Sequence, residues 1–131
     1  MGSVTTLTYN ENMKILLVDD DAFLRDMYAT KFQEAGYEVS TAENGAQAMR
    51  LIGEEKFDVA LLDMVMPGMS GVELLERIME TTSETKCIVL SNQGEQSDID
   101  TANRAGAIGY IVKAESIPSQ VVTKVETLAT K

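Results

Sequence analysis

The sequence predicts an α/β protein: a doubly wound sheet of five parallel strands in the order 2-1-3-4-5, with helices packed on both faces. Three observations lead there. Short apolar runs, the mark of strands buried on both faces, recur five times along the chain. Segments with the period of amphipathic helices separate them. At 131 residues the chain is long enough for one domain with a substantial core and too short for two. Right-handed crossovers then leave few topologies, and this strand order is the commonest at such a size.

The elements follow in order. Residues 1–12, "MGSVTTLTYNEN", hold no sustained period, and Met13 would itself serve as a start. They are expected to be a flexible leader or a remnant of cloning, with the folded domain running from 13 to 131. Strands are expected at 14–18, 38–41, 59–62, 87–90 and 108–112. Phe23, Met27 and Phe32 trace a helical face that stops at Gly36. Asn44 and Gly45 open a second helix carrying Ala48, Leu51 and Ile52, and after Pro67 and Gly68 a third presents Val72, Leu75, Ile78 and Met79. A fourth helix near 97–105 is weakly apolar, with Ile99, Ala102 and Ala105 as its buried side. The fifth starts at Pro118, a favourable first-turn residue, and carries Val121, Val122, Val125 and Leu128.

Composition removes several function classes. A formal net charge of −10 opposes nucleic-acid and anionic-membrane binding, both of which need Lys and Arg to neutralise phosphates. The complement of this chain is a cation or a cationic partner. With no histidine, any mechanism using a histidine base, phosphohistidine or histidine metal ligand supplied by this chain is excluded. The lone Cys87 sits in the apolar run "CIVL" and reads as a small core residue in a reducing compartment. No run approaches the length of a membrane span and no signal peptide is evident, so a cytoplasmic location is expected.

In doubly wound sheets, ligands gather at the carboxyl ends of the strands beside the point where the winding reverses. Strand one ends in Asp19, Asp20 and Asp21, strand three in Asp63, strand four in Ser91 and strand five in Lys113. Taken singly, each has an ordinary reading: a helix cap, a turn former, a solvated strand end. Together they place acidic, hydroxyl and ammonium groups on one rim. Crowded carboxylates ionise cheaply only with a cation present, and Mg²⁺ suits a partly hydrated, oxygen-only site. The lack of His and of a cysteine cluster argues against zinc. Such a set can draw in a phosphoryl group, let Asp63 attack phosphorus, and steady the transferred oxygens with Lys113 and Ser91.

The stretches "ILLVDDDAFLR", "DVALLDMVMPGMSG", "IVLSN" and "GAIGYIVK" resemble, in order and spacing, the receiver domain of two-component response regulators, of the CheY-like single-domain type with its (βα)5 flavodoxin-like fold. The resemblance runs from about Met13 to the end. It implies a signalling module rather than an enzyme: a stand-alone regulator in which Asp63 takes a phosphoryl group, with Mg²⁺, from a phosphohistidine on a sensor histidine kinase or histidine phosphotransfer protein. It implies Asp19, Asp20 and Asp63 as metal ligands with the backbone carbonyl of Val65, and Asp21 as a helix cap. Ser91 and Tyr110 would be the switch pair that remodels the helix 4, strand 5 and helix 5 face for a downstream protein target. Dimerisation through helices four and five on phosphorylation is a recurrent behaviour of such domains. Val65, Asn92 and Gln93 fall where side chains govern water access to the phosphoryl group.

One departure stands out. The family usually places a proline with a cis peptide after the lysine, whereas Ala114 follows Lys113 here, and a cis bond before a non-proline costs roughly 3 kcal/mol. The peptide is therefore either strained or trans in a reshaped loop. Three rival functions compete with this reading. A phosphorylation-independent binding module would share the fold. A haloacid-dehalogenase-type phosphatase would use Asp19 as nucleophile and Asp21 as acid/base, but leaves Asp63 without a role. A flavin carrier is disfavoured because three aspartates would repel the flavin phosphate.

Overall fold

The computed structural model describes residues 13–130, so the leader expected at 1–12 lies outside the described residues. Five parallel strands, β1 (Lys14–Val18), β2 (Glu38–Ala42), β3 (Val59–Leu62), β4 (Lys86–Ser91) and β5 (Gly109–Val112), form one sheet in the order β2-β1-β3-β4-β5. Between them run α1 (Ala22–Glu34), α2 (Gly45–Glu54), α3 (Gly71–Thr81) and α4 (Gln96–Ala105), and α5 (Pro118–Ala129) closes the chain. The fold is the one the sequence predicts. Strand ends differ from expectation by one residue: Ile108 falls outside β5, although its N–H still donates to the Cys87 carbonyl.

Alternation along each strand splits the core in two. Ile15, Leu17, Leu61 and Ile88 face α1 and α5, where Tyr28, Phe32, Val121 and Val125 meet them. Leu16, Val18, Ala60, Leu62 and Cys87 face α2 and α3, meeting Ala48, Ile52, Leu74 and Ile78. In the inner strands β1, β3 and β4, covered on both faces, polar residues occur only at the ends. That restriction gathers the charged groups on the carboxyl rim.

Local chemistry starts the helices. The Asp21 carboxylate accepts from Leu24 N, the Asn44 side chain from Gln47 N, and Ser70 with Glu73 forms a capping box. Gly36, at φ +99°, takes the left-handed turn that leads α1 into β2. By contrast α4 has no side-chain cap, and Ala102 is its one fully buried residue.

Two helical faces differ from the sequence reading. Phe23 is 76% exposed, and the buried face of α1 is Tyr28, Ala29 and Phe32. Nine residues separate Phe23 from Phe32, which is two and a half turns, so the two rings point to opposite sides of a helix with about 3.6 residues per turn. In α3 the buried set is Gly71, Leu74, Leu75 and Ile78, while Val72 lies at the margin and Met79 is 37% exposed. The four buried positions fall within about 100° of arc, and Val72 and Met79 fall beyond its edge. In α2, α4 and α5, respectively, Leu51, Ile99 with Ala105, and Leu128 are half-buried rather than buried.

Cys87 is buried in β4, and burial pushes its thiol up to about 12. The thiolate is the reactive form. A thiol reagent at neutral pH should therefore label Cys87 only at the rate of global unfolding; labelling within seconds in native buffer would contradict this burial.

Candidate functional site

At the carboxyl edge of the sheet an open cleft of about 350 Å³ brings Asp19, Asp20, Asp63, Ser91 and Lys113 together with Val65 at its rim. Register accounts for the meeting: β1 lies between β2 and β3, so Val18 pairs with Leu62, and Asp19 and Asp63 follow side by side. The Asp63 N–H extends this ladder to the Val18 carbonyl, and the Asp19 N–H extends the other to Ala42. One carboxylate oxygen from each of Asp19, Asp20 and Asp63 lies within 4.8 Å of the others. Asp19 is buried, Asp63 partly buried and Asp20 exposed.

Lys113 crosses the cleft from the end of β5. Its Nζ is 2.6 Å from Asp19 Oδ2 and 3.3 Å from Asp63 Oδ2, with both lysine and Asp19 side chains almost wholly out of solvent. Burial pulls the ammonium pKa down, but the hydrogen bond to Asp19 and the charges of Asp63 and Asp19 together outweigh it, and the value is raised above 10.5. The stability contributed by the lysine's raised pKa is thus full through neutral pH and is lost as pH rises through that raised value. For Asp63 burial dominates in the other sense and raises the carboxyl pKa, despite Lys113 and the Val65 N–H, which lower it. One ammonium does not offset a desolvated, crowded carboxylate. A hard divalent cation in the acid group would do so, and the all-oxygen donor set of Asp19, Asp20 and Asp63 fits Mg²⁺.

Lys113–Glu115 form a single turn of 3-10 helix, and no peptide bond among the described residues is cis. The Lys113–Ala114 bond is therefore trans, and the tight turn after β5 presents the lysine without a proline. Asp21 is the cap of α1, its Oδ1 accepting from Leu24 N at 3.0 Å.

Ser91 ends β4 and is buried. Its Oγ accepts from Gln93 N at 3.3 Å, and the Gln93 carbonyl accepts from the Tyr110 hydroxyl at 2.6 Å. Ser91 and Tyr110 are thereby joined through the backbone of Gln93. Asn92 and Gln93 are exposed, and Val65 is 56% exposed, all three at the mouth of the cleft.

Two residues of this site carry a part that sequence reading did not assign. Gly71 opens α3 with its N–H on the Met64 carbonyl, and a Cβ there would stand 2.1 Å from the Asp63 carbonyl oxygen and 2.7 Å from Met64 Cα. Only glycine lets the helix start so close to the strand end. Arg25, on the second turn of α1, donates from Nη1 to the Asp19 carbonyl at 2.7 Å. Its visible signal was no more than a cation six residues after the first aspartate.

The response regulator receiver domain family model matches residues 15–126. The chain is 40% identical over 110 residues to the chemotaxis protein CheY of Thermotoga maritima, covering 83% of this chain and 91% of that protein. It is 35% identical over 102 residues to the sporulation initiation phosphotransferase F of Bacillus subtilis, covering 78% and 82% respectively. Among solved structures, the chemotaxis protein CheY4 of Vibrio cholerae superposes with a TM-score of 0.84 at 29% identity, covering 88% of this chain and 98% of that one.

Two substitutions test this geometry. Gly71→Ala must push the Asp63 carbonyl or the start of α3 aside; it should destabilise the fold by roughly 2 kcal/mol in urea, and unchanged stability would mean the close approach is not rigid. Lys113→Met leaves the buried Asp19 without its cation and should cost roughly 3 kcal/mol; a loss below a few tenths would show that the pair contributes nothing net.

Proposed function

The chain belongs to the response regulator receiver domain family, and on that premise we propose that Asp63 is its phosphoacceptor. A receiver accepts a phosphoryl group and signals with it; which residues do so here is inferred from the cleft. The observation that carries the reading is the position of Asp63. It is the half-buried carboxylate at the switch of winding, with an acidic pair on one side and the Lys113 ammonium 3.3 Å away on the other.

In this reading an Asp63 oxygen forms the new P–O bond while the P–N bond of a partner phosphohistidine breaks, its electron pair staying on the imidazole nitrogen. No general base is needed, because a carboxylate attacks as the anion and has no proton to give up in the step. Lys113 follows the transferred oxygens from where it now pairs with Asp63, and the Ser91 hydroxyl donates to another. Asp19, Asp20 and Asp63, with the Val65 carbonyl, would hold Mg²⁺. When bound, the ion neutralises charge on the phosphoryl oxygens and draws the donor into the cleft.

The same reading supplies the switch. If Ser91 Oγ turns to the phosphoryl group, the Gln93 N–H loses its acceptor, and the carbonyl of that residue is the one Tyr110 holds. The disturbance passes to β5 and α4, which is the least anchored helix. That face would engage a downstream protein, as a population shift driven by about two added charges. Partners on the donor side are a histidine kinase or a phosphotransfer protein, in the cytoplasm. Val65 and Gln93, at the mouth of the cleft, would govern water access and so the lifetime of the phosphoform.

Intact mass after incubation with Mg²⁺ and acetyl phosphate tests the assignment. A base-labile, Mg²⁺-dependent gain of one phosphoryl group is expected in the natural chain and none in Asp63→Asn. An equal gain in the variant would move the phosphoacceptor elsewhere.

A further inference from the structure

Of the three clustered carboxylates, Asp20 is the exposed one, and the two others are the pair that Lys113 holds. Its aim must then come from its backbone, and the backbone on both sides of it is tied. The peptide unit before Asp20 contains the Asp19 carbonyl, which accepts from Arg25 Nη1 at 2.7 Å. The unit after it contains the Asp21 N–H, which donates to Asp19 Oδ1 at 2.9 Å. Peptide units are planar, so pinning the oxygen of one and the nitrogen of the next restricts both dihedrals of the residue between them.

We infer that Arg25 is a positioning residue of the metal site, holding the Asp19–Asp20 peptide so that the exposed Asp20 carboxylate points into the acid group. The inference rests on the Mg²⁺ reading above. Arg25 is itself well placed for this: its own N–H makes the first helical bond of α1 to the Asp21 carbonyl, and α1 begins at the Asp21 cap. The guanidinium shares a cleft with Asp20, Asn44 and Met69. The acceptor of its bond, however, is a carbonyl and not the Asp20 carboxylate, so the arginine fixes the residue without occupying the oxygens a cation needs.

Electrostatics and positioning predict opposite signs, which makes the idea testable. A positive charge beside a dication site repels the ion, so removing it should tighten Mg²⁺ binding if charge were all that mattered. If positioning dominates, removing the donor should weaken binding by roughly tenfold, the scale of losses on removing groups that orient metal ligands.

The experiment is calorimetric titration of the metal-free full chain with Mg²⁺, alongside thermal melts without metal, for the natural protein, Arg25→Met, Arg25→Lys and Asp20→Asn. Weaker binding in Arg25→Met, largely recovered in Arg25→Lys, is expected. Binding in Arg25→Met that equals or exceeds that of the natural chain would overturn the inference, and so would an equal loss in the lysine variant. If the natural chain binds no Mg²⁺, or Asp20→Asn binds as well as it does, the metal-site reading itself fails, whatever Arg25 does.

Discussion

Lys113 and Asp19 are separated by 94 residues of chain and by 2.6 Å in the fold. Two other features depend on that contact. It joins the end of the edge strand β5 to the inner strand β1 across β3 and β4, and no backbone ladder spans that distance. It also keeps one positive charge inside an acidic cleft of a chain whose net charge is −10. A buried pair of this kind is weak support for stability in itself, since desolvation offsets most of the attraction. Its use lies in placement: it commits a lysine to the carboxylate group, where, in the proposed phosphoacceptor reading, a transferred phosphoryl would need one.

Much of this arrangement was legible in the sequence because the sheet is buried on both faces. The inner strands leave polar residues little place but the ends, so Asp19, Asp63, Ser91 and Lys113 could be located by noting where each apolar run stopped. Asp21 was legible as a cap because capping is a local hydrogen bond. The misread faces have an equally plain cause. Phe23 and Phe32 are both aromatic, but their spacing is half a turn out of phase, and hydrophobicity outweighed the arithmetic. Arg25 and Gly71 were not legible, because each acts on a main-chain carbonyl at the strand ends, and no side-chain pattern marks a carbonyl. The Gln93 backbone link between Ser91 and Tyr110 was hidden for the same reason.

Ala114 shows how a departure from family pattern can be absorbed. The lysine must leave β5, turn at once, and reach back beneath the loop to Asp19. Here a trans peptide and one turn of 3-10 helix do so, with the Ser116 N–H bonded to the Lys113 carbonyl. The turn then runs to Ile117, whose N–H is taken by Gln120, and Pro118 starts α5. Proline's fixed dihedral is thus used four residues after the position where the family usually has its own.

The weakest element lies where a switch would need it. α1, α2 and α3 start at side-chain caps, and α5 at a proline and the Gln120 bond; α4 has neither, and its burial rests chiefly on Ala102. Helices held by few buried contacts open at the low end of a protein's free-energy range. The Gln93 backbone, bonded on one side to Ser91 and on the other to Tyr110, lies in the loop that leads into α4. A phosphoryl group that recruits the Ser91 hydroxyl would therefore act on the one helix whose displacement costs least. In the proposed reading the rigid rim and the loose helix are complementary: the first would fix where charge is added, and the second would let a modest bias, on the order of 1–3 kcal/mol, become a change of surface.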